Sequence, residues 1–405
     1  MYPIETIRSY FPILEEKPYG KPLAYLDNGA TTQKPLQVID TIVELYRHSN
    51  SNIHRGVHYL SGVMTDRYEE ARLRVQQYIN ATYSQEVIFT AGTTAGINAV
   101  AFSFGERFVK AGDEILISAM EHHANIVPWQ MLCDRKQAIL RVIPISNAGE
   151  LNMEAFEALL SDRTRIVAVC HASNTLGTVN PIKEIIKKAH SRNIPVLIDG
   201  AQSVQHMRID VEALDCDFFV FSGHKLYGPT GIGVLYGKKR WLDEMPPYQG
   251  GGDMVDCVTF ERTTYNELPF KFEAGTANYV GAAGLKSAID LVEEIGLEAI
   301  QQHEQDLLHY ATQKIGAIEG VKIYGNAPEK VGVLSFLVGK SHPYDVGMIL
   351  DKLGIAVRTG THCTQPLMKR LGIDGTVRAS FGLYNTRNEI DRLHEGILRA
   401  KRMLS

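Results

Sequence analysis

Two ionisable residues stand directly after apolar runs of the chain, where a side chain could face a ligand. Lys225 follows the run at residues 218–221 and could act as a nucleophilic amine. Asp199 ends the run at residues 196–198 and could present a fixed negative charge, with Gln202 three residues later on the same side. Taken singly, each of these residues could equally cap a helix or contact solvent.

A third element of the sequence complements this pair. Residues 90–98, TAGTTAGIN, combine a strand end, a turn rich in glycine and threonine, and the start of a helix. Amides and hydroxyl groups at such a helix start can bind a phosphate group. Pyridoxal phosphate requires a lysine for its covalent attachment, a carboxylate at its ring nitrogen and a cradle for its phosphate. Lys225, Asp199 and this segment together predict an enzyme that uses pyridoxal phosphate.

One of the five cysteines is placed for nucleophilic chemistry. Cys363 lies in a polar segment with glycine, residues 358–366, which predicts an exposed loop, although a free thiol is more often a core residue. Three other cysteines lie on a predicted helix or at predicted strands, namely Cys133, Cys170 and Cys216. We expect Cys363 to be the nucleophile and Cys257, in an irregular segment, to be an exposed bystander.

Short apolar, β-branched runs alternate with amphipathic segments between residues 85 and 236. The predicted strands are residues 86–89, 114–117, 165–169, 196–199 and 218–221. Several of these runs are apolar throughout, which is typical of strands buried on both faces of a mainly parallel sheet. Helical periodicity between them predicts an α/β fold with helices on both faces. Because ligands bind at the carboxyl ends of strands in such sheets, Asp199 and Lys225 would meet at one edge.

The second half of the chain predicts a smaller α+β domain. Residues 245–280 are irregular and rich in glycine and proline, and a periodic helix then runs from about Gly281 towards Gly320, with a break near Gly296. Further strands are predicted at residues 333–338, 356–358 and 377–381, and a closing helix at residues 387–404. We expect a large domain of residues 20–285 and a small domain of residues 1–19 and 286–405.

Composition argues against several classes of protein. The chain has 405 residues, 44% of them hydrophobic, and a formal net charge of −4, which gives no reason to expect a nucleic-acid or membrane partner. Five widely spaced cysteines without a CxxC pair indicate free thiols in a reducing compartment. The first residues show no signal-peptide pattern. We expect a cytoplasmic protein.

Two other enzyme classes share short motifs with this chain. Residues 222–225 match the S-x-x-K motif of serine acyl-transfer enzymes, but a glycine-rich stretch follows and the companion S-D-N element is absent from the sequence. His54 and His58 have the spacing of zinc ligands, but Arg55 replaces the glutamate of H-E-x-x-H and Gly56 disfavours a helix there. We therefore expect no metal site.

The motifs of the chain resemble those of a known family almost from end to end. The segments that carry the resemblance are residues 25–30 (YLDNGA), 53–58 (IHRGVH), 120–125 (MEHHAN), 198–202 (IDGAQ), 221–225 (FSGHK) and 378–382 (RASFG). They resemble the class V aminotransferase family of pyridoxal phosphate enzymes of fold type I, and within it the SUF-type (group II) cysteine desulfurases. In one departure, Thr361 stands where many SUF-type relatives carry the first histidine of His-His-Cys, which implies altered tuning of the thiol and the same reaction.

The resemblance implies a role for each matching residue. Lys225 would bind the cofactor covalently and Cys363 would accept sulfur as a persulfide. His123 would stack on the cofactor ring and relay protons. The remaining cofactor contacts would come from Thr93, Thr94, Asp199, Gln202, Ser222 and His224, with Thr276 from the partner subunit. Asn174 and Arg378 would bind the substrate carboxylate, for which the planar fork of arginine is suited, and Arg358 would help to position the substrate.

The activity implied is the conversion of L-cysteine to L-alanine, with sulfur passed on for iron–sulfur cluster assembly. The short loop around Cys363 implies an acceptor protein of SufE or SufU type that docks at the site, and the family implies a homodimer. Two alternatives remain open at this stage. One is selenocysteine lyase activity, which needs no attack by a protein thiol, and the other is a non-catalytic protein that binds pyridoxal phosphate.

Overall fold

The structure is a computed structural model that describes residues 2–404. Its helices are α1 (Ile4–Ser9), α2 (Leu36–His48), α3 (Tyr59–Tyr78), α4 (Thr93–Phe108), α5 (Val127–Lys136), α6 (Met153–Leu159), α7 (Ile182–His190), α8 (Val211–Leu214), α9 (Lys239–Glu244), α10 (Tyr279–Ile295), α11 (Leu297–Gly316), α12 (Pro343–Asp351), α13 (Gln365–Leu371) and α14 (Arg387–Leu404).

Its strands form two main sheets and two short pairs. They are β1 (Ala24–Tyr25), β2 (Val87–Thr90), β3 (Glu114–Ser118), β4 (Ile139–Ile143), β5 (Thr164–Cys170), β6 (Val196–Asp199), β7 (Phe218–Ser222), β8 (Gly233–Gly237), β9 (Val255–Val258), β10 (Thr263–Tyr265), β11 (Val321–Tyr324), β12 (Val333–Val338), β13 (Ile355–Ala356), β14 (Arg358–Gly360) and β15 (Thr376–Ser380).

The central sheet has seven strands in the order β2-β8-β7-β6-β5-β3-β4. It is parallel except at β8, which runs antiparallel to both β2 and β7. The predicted α/β fold with a mainly parallel sheet is confirmed, as are the five predicted strands in it. Strands β4 and β8 were not predicted individually. Strand β8 begins and ends with glycine, and β4 lies at an edge with a half-exposed surface, so neither carries a strong apolar pattern.

Alternate residues of the central strands face two different cores. Phe219 and Phe221 of β7 belong to the core shared with α3, α7 and α10, whereas Phe218 and Val220 belong to the core under α4 and α5. Successive side chains of a strand point to opposite faces, so a run that is apolar at every position requires helices on both sides. This burial makes the central strands rigid supports for the polar residues at their carboxyl ends.

A four-stranded antiparallel sheet, β11-β12-β15-β14, forms the smaller α+β unit together with α11, α12 and α14. The predicted break of the long helix is confirmed, since Gly296 separates α10 from α11 at φ +91°. A non-glycine residue is strained at such a φ, which explains why glycine stands there.

Hydrophobic packing crosses both of the predicted domain boundaries, which stay predictions. Ile7 and Phe11 belong to the large core, and α10 stays in that core to its last turn, although residues 1–19 and 286–295 were assigned to the small domain. Conversely, Ala24 and Leu26 belong to the small core because β1 pairs with β13. The chain therefore crosses between the two cores more often than boundaries at residues 20 and 285 imply.

The segment predicted to be irregular, residues 245–280, contains the antiparallel hairpin β9–β10. Its end is held by a buried ion pair. Both terminal nitrogens of Arg72 donate to Glu273, at 2.7 and 2.9 Å, and Glu273 also accepts from the Phe89 amide and the Tyr68 hydroxyl. These bonds fix the backbone just before Thr276.

Within residues 2–404, no helix combines the length and the apolar character that a membrane crossing requires. The same residues contain no cluster of three or more histidine, cysteine or acidic side chains that could hold a metal ion.

The ion pair of Arg72 and Glu273 predicts a large loss of stability on mutation. Glu273→Gln should lower the free energy of unfolding by about 3 kcal/mol, because it leaves a buried guanidinium without its main counter-charge. Glu70→Gln, at an exposed pair with Arg67, is the matched control and should cost less than about 0.5 kcal/mol. Denaturant unfolding of both variants measures the difference, and equal stabilities would contradict the role given to Glu273.

Candidate active site

A cavity of about 260 Å³ lies at the carboxyl ends of the central strands. It brings together most of the predicted site residues, which come from six separate stretches of the chain. The predicted residues that line it are Thr93, Thr94, Asn174, Asp199, Gln202, Ser222, His224, Lys225, Arg358, Cys363 and Arg378. Gly29, His122 and His362 also line it. His123 and Thr276 do not appear in its lining.

Lys225 and Asp199 form the electrostatic centre of the cavity. Burial lowers the pKa of the Lys225 amine from 10.5 to about 8, while the negative charge of Asp199 opposes this effect and the positive charges of Arg378 and Arg358 add to it. Burial also raises the pKa of Asp199, and a hydrogen bond from the Ala201 amide at 3.0 Å holds its Oδ1. A lysine with so low a pKa is partly neutral near pH 8 and can act as a nucleophile or a base.

The predicted phosphate cradle is present at the start of α4. Ser222 Oγ accepts a hydrogen bond from the Thr93 amide at 2.8 Å and lies 2.8 Å from Thr93 Oγ1. Gly92 precedes the helix at φ +147°, and a Cβ there would lie 3.1 Å from Ser222 Oγ. The helix start is thus open to an anion, and the partial positive charge of its amides favours one.

Lys34 supports this cradle from behind, and sequence reasoning did not single it out. Its Nζ donates to the backbone carbonyl of His224 at 2.9 Å, and burial lowers its pKa to about 7. Burial, followed by the charges of Lys225 and Lys34, lowers the pKa of His224 to about 4. His224 is therefore neutral at pH 7 and can only donate or accept a hydrogen bond there.

Thr276 lies beside the cradle in an adjoining cavity of the same chain, together with Thr93, Thr94, Ser222 and His224. The structure contains one chain, so the predicted contact of Thr276 with the cofactor of a partner subunit stays a prediction.

The two neighbouring histidines of residues 120–125 point in different directions. His122 lines the cavity, with its Nδ1 accepting from the Ala124 amide at 3.0 Å, and His123 does not. The stacking of His123 on the cofactor ring stays a prediction. His123 turns towards α13, where its Nε2 accepts from the Gln365 amide at 3.1 Å. The tight turn at residues 122–125 directs consecutive side chains apart, so the sequence motif alone does not decide which histidine faces the cavity.

His122 has the properties expected of the residue over a cofactor ring. Burial, and then the charge of Lys225, lowers its pKa to about 4, so the ring is neutral at pH 7. Since its Nδ1 accepts a hydrogen bond, the proton of the neutral ring lies on Nε2. His122 can therefore donate a hydrogen bond into the cavity.

Cys363 is an exposed free thiol, as predicted, and its loop is short and tightly held. His362 and Cys363 both adopt positive φ, at 52° and 57°. Consecutive left-handed residues other than glycine are strained and persist only where contacts hold them. The carbonyl of Cys363 accepts from the His123 amide at 2.8 Å, and that of His362 accepts from the Asn174 side chain at 2.8 Å.

The other cysteines are arranged as expected. The thiols of Cys133, Cys170 and Cys216 are buried, and that of Cys257 is exposed on β9.

Asn174 and Arg378 form one hydrogen-bonded unit at the cavity wall. Arg378 Nη1 donates to the backbone carbonyl of Asn174 at 2.9 Å, while the Asn174 side chain binds the Cys363 loop. Asp27 accepts from both Arg358 and Arg378. Asp27 belongs to residues 25–30, one of the segments on which the family resemblance rests. Its two arginine partners lie more than 300 residues away in sequence, so no local pattern predicts these contacts.

The polar groups of the cavity fit pyridoxal phosphate. Gln202 donates its Nε2 to the Gly29 carbonyl at 2.6 Å, while its Oε1 is buried without a hydrogen-bond partner in the part of the chain that the structure describes. Arg378 Nε and His362 Nδ1 are likewise unpartnered within residues 2–404. Buried polar atoms without partners are rare in folded proteins, so these three indicate groups that a ligand satisfies.

The lowered pKa of Lys225 predicts how apoenzyme takes up pyridoxal phosphate. The neutral amine is the reactive form, so the rate of covalent attachment should rise with pH and level off above about 8. Asp199→Asn should shift this profile to lower pH, because the carboxylate raises the pKa of Lys225. Stopped-flow absorbance of the lysine-bound cofactor measures the rate, with Lys225→Ala as the blank. A rate that still rises beyond pH 10 would contradict the assignment.

The two histidines give a matched pair of variants. His122→Ala should alter the absorbance spectrum of the bound cofactor and lower kcat by about 10²- to 10⁴-fold, the usual effect of losing a proton-transfer group. His123→Ala should leave the spectrum unchanged and affect only the steps that depend on the Cys363 loop. A spectral change in His123→Ala and none in His122→Ala would favour the prediction made from the sequence.

Comparison with known proteins places the chain in a family. Residues 24–393 match the aminotransferase class-V family. A cysteine desulfurase of Salmonella newport is 51% identical over 404 residues, which are 100% of this chain and 99% of that protein. The crystal structure of the Escherichia coli cysteine desulfurase CsdA, in its S-sulfonic acid form, superposes with a TM-score of 0.93 at 36% identity and 100% coverage of both chains. The apo cysteine desulfurase of Thermococcus onnurineus NA1 also reaches 0.93, at 38% identity, with 100% of this chain and 98% of that one covered. The chain belongs to the aminotransferase class-V family and, within it, to the cysteine desulfurases.

Proposed function

We propose that this chain is a pyridoxal phosphate-dependent cysteine desulfurase that transfers the sulfur of L-cysteine to Cys363 and releases L-alanine. The observation that carries the proposal is the position of Cys363 and Lys225 in the lining of one cavity. A transaminase of the same fold needs no thiol there. The relatives at 50–51% identity are named cysteine desulfurases, in agreement with this chemistry.

Lys225 binds the cofactor and moves the substrate proton. Pyridoxal phosphate supplies an electron sink for the electron pair that is left when a bond at the substrate Cα breaks. The Lys225 Nζ amine would take the proton from the substrate Cα, for which its pKa of about 8 is suited. The buried carboxylate of Asp199 would pair with the ring nitrogen and favour its protonated form.

Arg378 is placed to bind the carboxylate of the substrate. It is buried at the cavity wall and has an unpartnered Nε within residues 2–404. Arg358 lies beside it in the cavity lining and is about half exposed. Asn174 acts on both Arg378 and the Cys363 loop and therefore sets the distance between the carboxylate and the thiol.

The sulfur transfer itself is a displacement at the substrate sulfur. The Cys363 thiolate forms an S–S bond with that sulfur while the Cβ–S bond of the substrate breaks. The electron pair of the broken bond stays with the three-carbon fragment, which gains a proton at Cβ and leaves as alanine. The sum is one cysteine and one thiol converted to one alanine and one persulfide. Burial lowers the pKa of His362 to about 3, so its ring is neutral at pH 7 and a weak base for the thiol proton.

We place the enzyme among the SUF-type desulfurases, with a SufE-like or SufU-like protein as sulfur acceptor and iron–sulfur cluster assembly as the destination. The support is the short, tethered loop of Cys363. The backbone carbonyls of Cys363 and His362 both accept hydrogen bonds from the large unit, so a persulfide on Cys363 can move only a short distance. An acceptor must therefore bring its own nucleophile to the cavity mouth.

We also propose that the enzyme acts as a homodimer in the cytoplasm. Val57, Tyr59 and Phe260 are large apolar side chains that a single chain leaves exposed, with Val57 and Phe260 at 104% and 108% of the reference area. A second copy would cover such side chains and bring Thr276 to the phosphate of its neighbour. The free thiols of all five cysteines are compatible with a reducing compartment.

The two alternatives have less support. Selenocysteine lyase activity needs no protein thiol, so it does not explain the tethered Cys363 loop, and the similar proteins are named for cysteine. A non-catalytic protein would not require Lys225, Asp199 and Cys363 to line one cavity.

Replacement of Cys363 tests the proposal. Cys363→Ala should retain the bound cofactor and lose alanine formation from L-cysteine by about 10²-fold or more, because the nucleophile is removed. Cys257→Ala, which removes the other exposed thiol, is the matched control and should keep wild-type activity. Alanine is measured by chromatography and the persulfide by mass spectrometry of the trapped protein. Equal activity of Cys363→Ala and wild type on L-cysteine would remove Cys363 from the mechanism. A wild-type enzyme that is active on L-selenocysteine and inactive on L-cysteine would support the selenocysteine lyase alternative.

A further inference from the structure

One carboxylate lies between the two arginines of the cavity. Arg358 Nε donates to both oxygens of Asp27 at 3.2 Å, and its Nη2 lies 3.1 Å from Oδ2. Arg378 Nη2 donates to Asp27 Oδ1 at 3.1 Å. Asp27 stands between β1 and the cavity-lining residue Gly29, whereas the arginines belong to β14 and β15. Asp27 thus joins the two arginines on neighbouring strands of the small unit.

The guanidinium group of Arg378 is held on three sides. Asp27 binds Nη2, the Asn174 carbonyl binds Nη1, and Gly29 packs so closely that a Cβ there would lie 3.2 Å from Cζ. Among its other N–H donors, Nε is buried and has no partner in residues 2–404. The group therefore has a fixed orientation and a buried donor left for a ligand, as a binding site for a substrate carboxylate requires.

Two guanidinium groups side by side repel each other unless an anion lies between them. Burial lowers the pKa of Arg378, the charge and hydrogen bond of Asp27 raise it, and the charge of Arg358 lowers it again. Arg358 is about half exposed, so without Asp27 it can turn into solvent. The negative charge of Asp27 therefore holds the two arginines next to each other before the substrate arrives.

We propose that Asp27 is a positioning residue that orients Arg358 and Arg378 for the carboxylate of the amino-acid substrate. The proposal rests on the function proposed above and adds a determinant of substrate affinity to it. Because Asp27 orients the two arginines, its replacement should weaken the binding of ligands that carry a carboxylate. The reactivity of the cofactor itself should not change. A purely structural role would affect both.

The test uses the holoenzyme and two readouts. In Asp27→Asn, the KM for L-cysteine should rise about 10- to 100-fold with kcat changed by less than about threefold, since binding orientation is lost and the chemical groups remain. The rate at which methoxyamine, an amine without a carboxylate, reacts with the bound cofactor should stay within about twofold of wild type. An unchanged KM, or a methoxyamine rate that falls in parallel with kcat/KM, would overturn the proposal.

Asp27→Glu, which keeps the negative charge, should stay closer to the wild-type KM than Asp27→Asn and tests the role of Asp27 if Asp27→Asn folds poorly. Arg358→Gln and the double variant test the coupling of Asp27 to Arg358. Arg358→Gln, at a half-exposed position, should raise the KM in the same direction, and adding Asp27→Asn to it should raise KM by less than Asp27→Asn does alone. Glu106→Gln is the control, because Glu106 also binds two cations, Arg135 and Lys136, on the surface. It should leave KM unchanged. If wild type forms no alanine from L-cysteine, the proposed function fails; if wild type is active and the Asp27 and Arg358 variants match it, only the role of Asp27 fails.

Discussion

The site depends on holding two opposite charges buried in one cavity. Asp199 ends β6 and Lys225 lies in the turn after the neighbouring β7, and burial lowers the pKa of Lys225 and raises that of Asp199. Their mutual attraction works against that cost, so each makes the other's charge possible. Strands β6 and β7 make this burial possible. They are covered on both faces, so the polar residues at their carboxyl ends lie away from water.

The same arrangement separates the tasks of the two units. The large unit supplies the lysine, the carboxylate and the helix start for the phosphate, whereas the small unit supplies Arg358, Arg378 and Cys363. Asn174 is the point where they meet, since its backbone binds Arg378 and its side chain binds the Cys363 loop. The position of the thiol relative to Lys225 is thus set by the contact between the units.

Much of this could be predicted from the sequence. The central strands, the break at Gly296, the roles of Lys225 and Asp199 as buried polar residues, and the exposure of Cys363 all follow from local pattern. Apolar runs define buried strands, and a polar residue at the end of such a run lies at a sheet edge whatever the rest of the chain does. These features depend on residues close together in sequence.

Only the tertiary structure decided the rest. Whether His122 or His123 faces the cavity depends on the backbone path of a single turn, which the motif shared by both does not encode. The direction of β8 and the packing of residues 1–19 with the large core depend on which surfaces are left uncovered once the other elements have packed. The role of Asp27 requires partners 331 and 351 residues away. The sequence by itself determined the chemistry available to this protein and the strands that support it, because these are local properties. Which side chains meet was decided by long-range packing, since a side chain's direction is fixed only when its neighbours are in place.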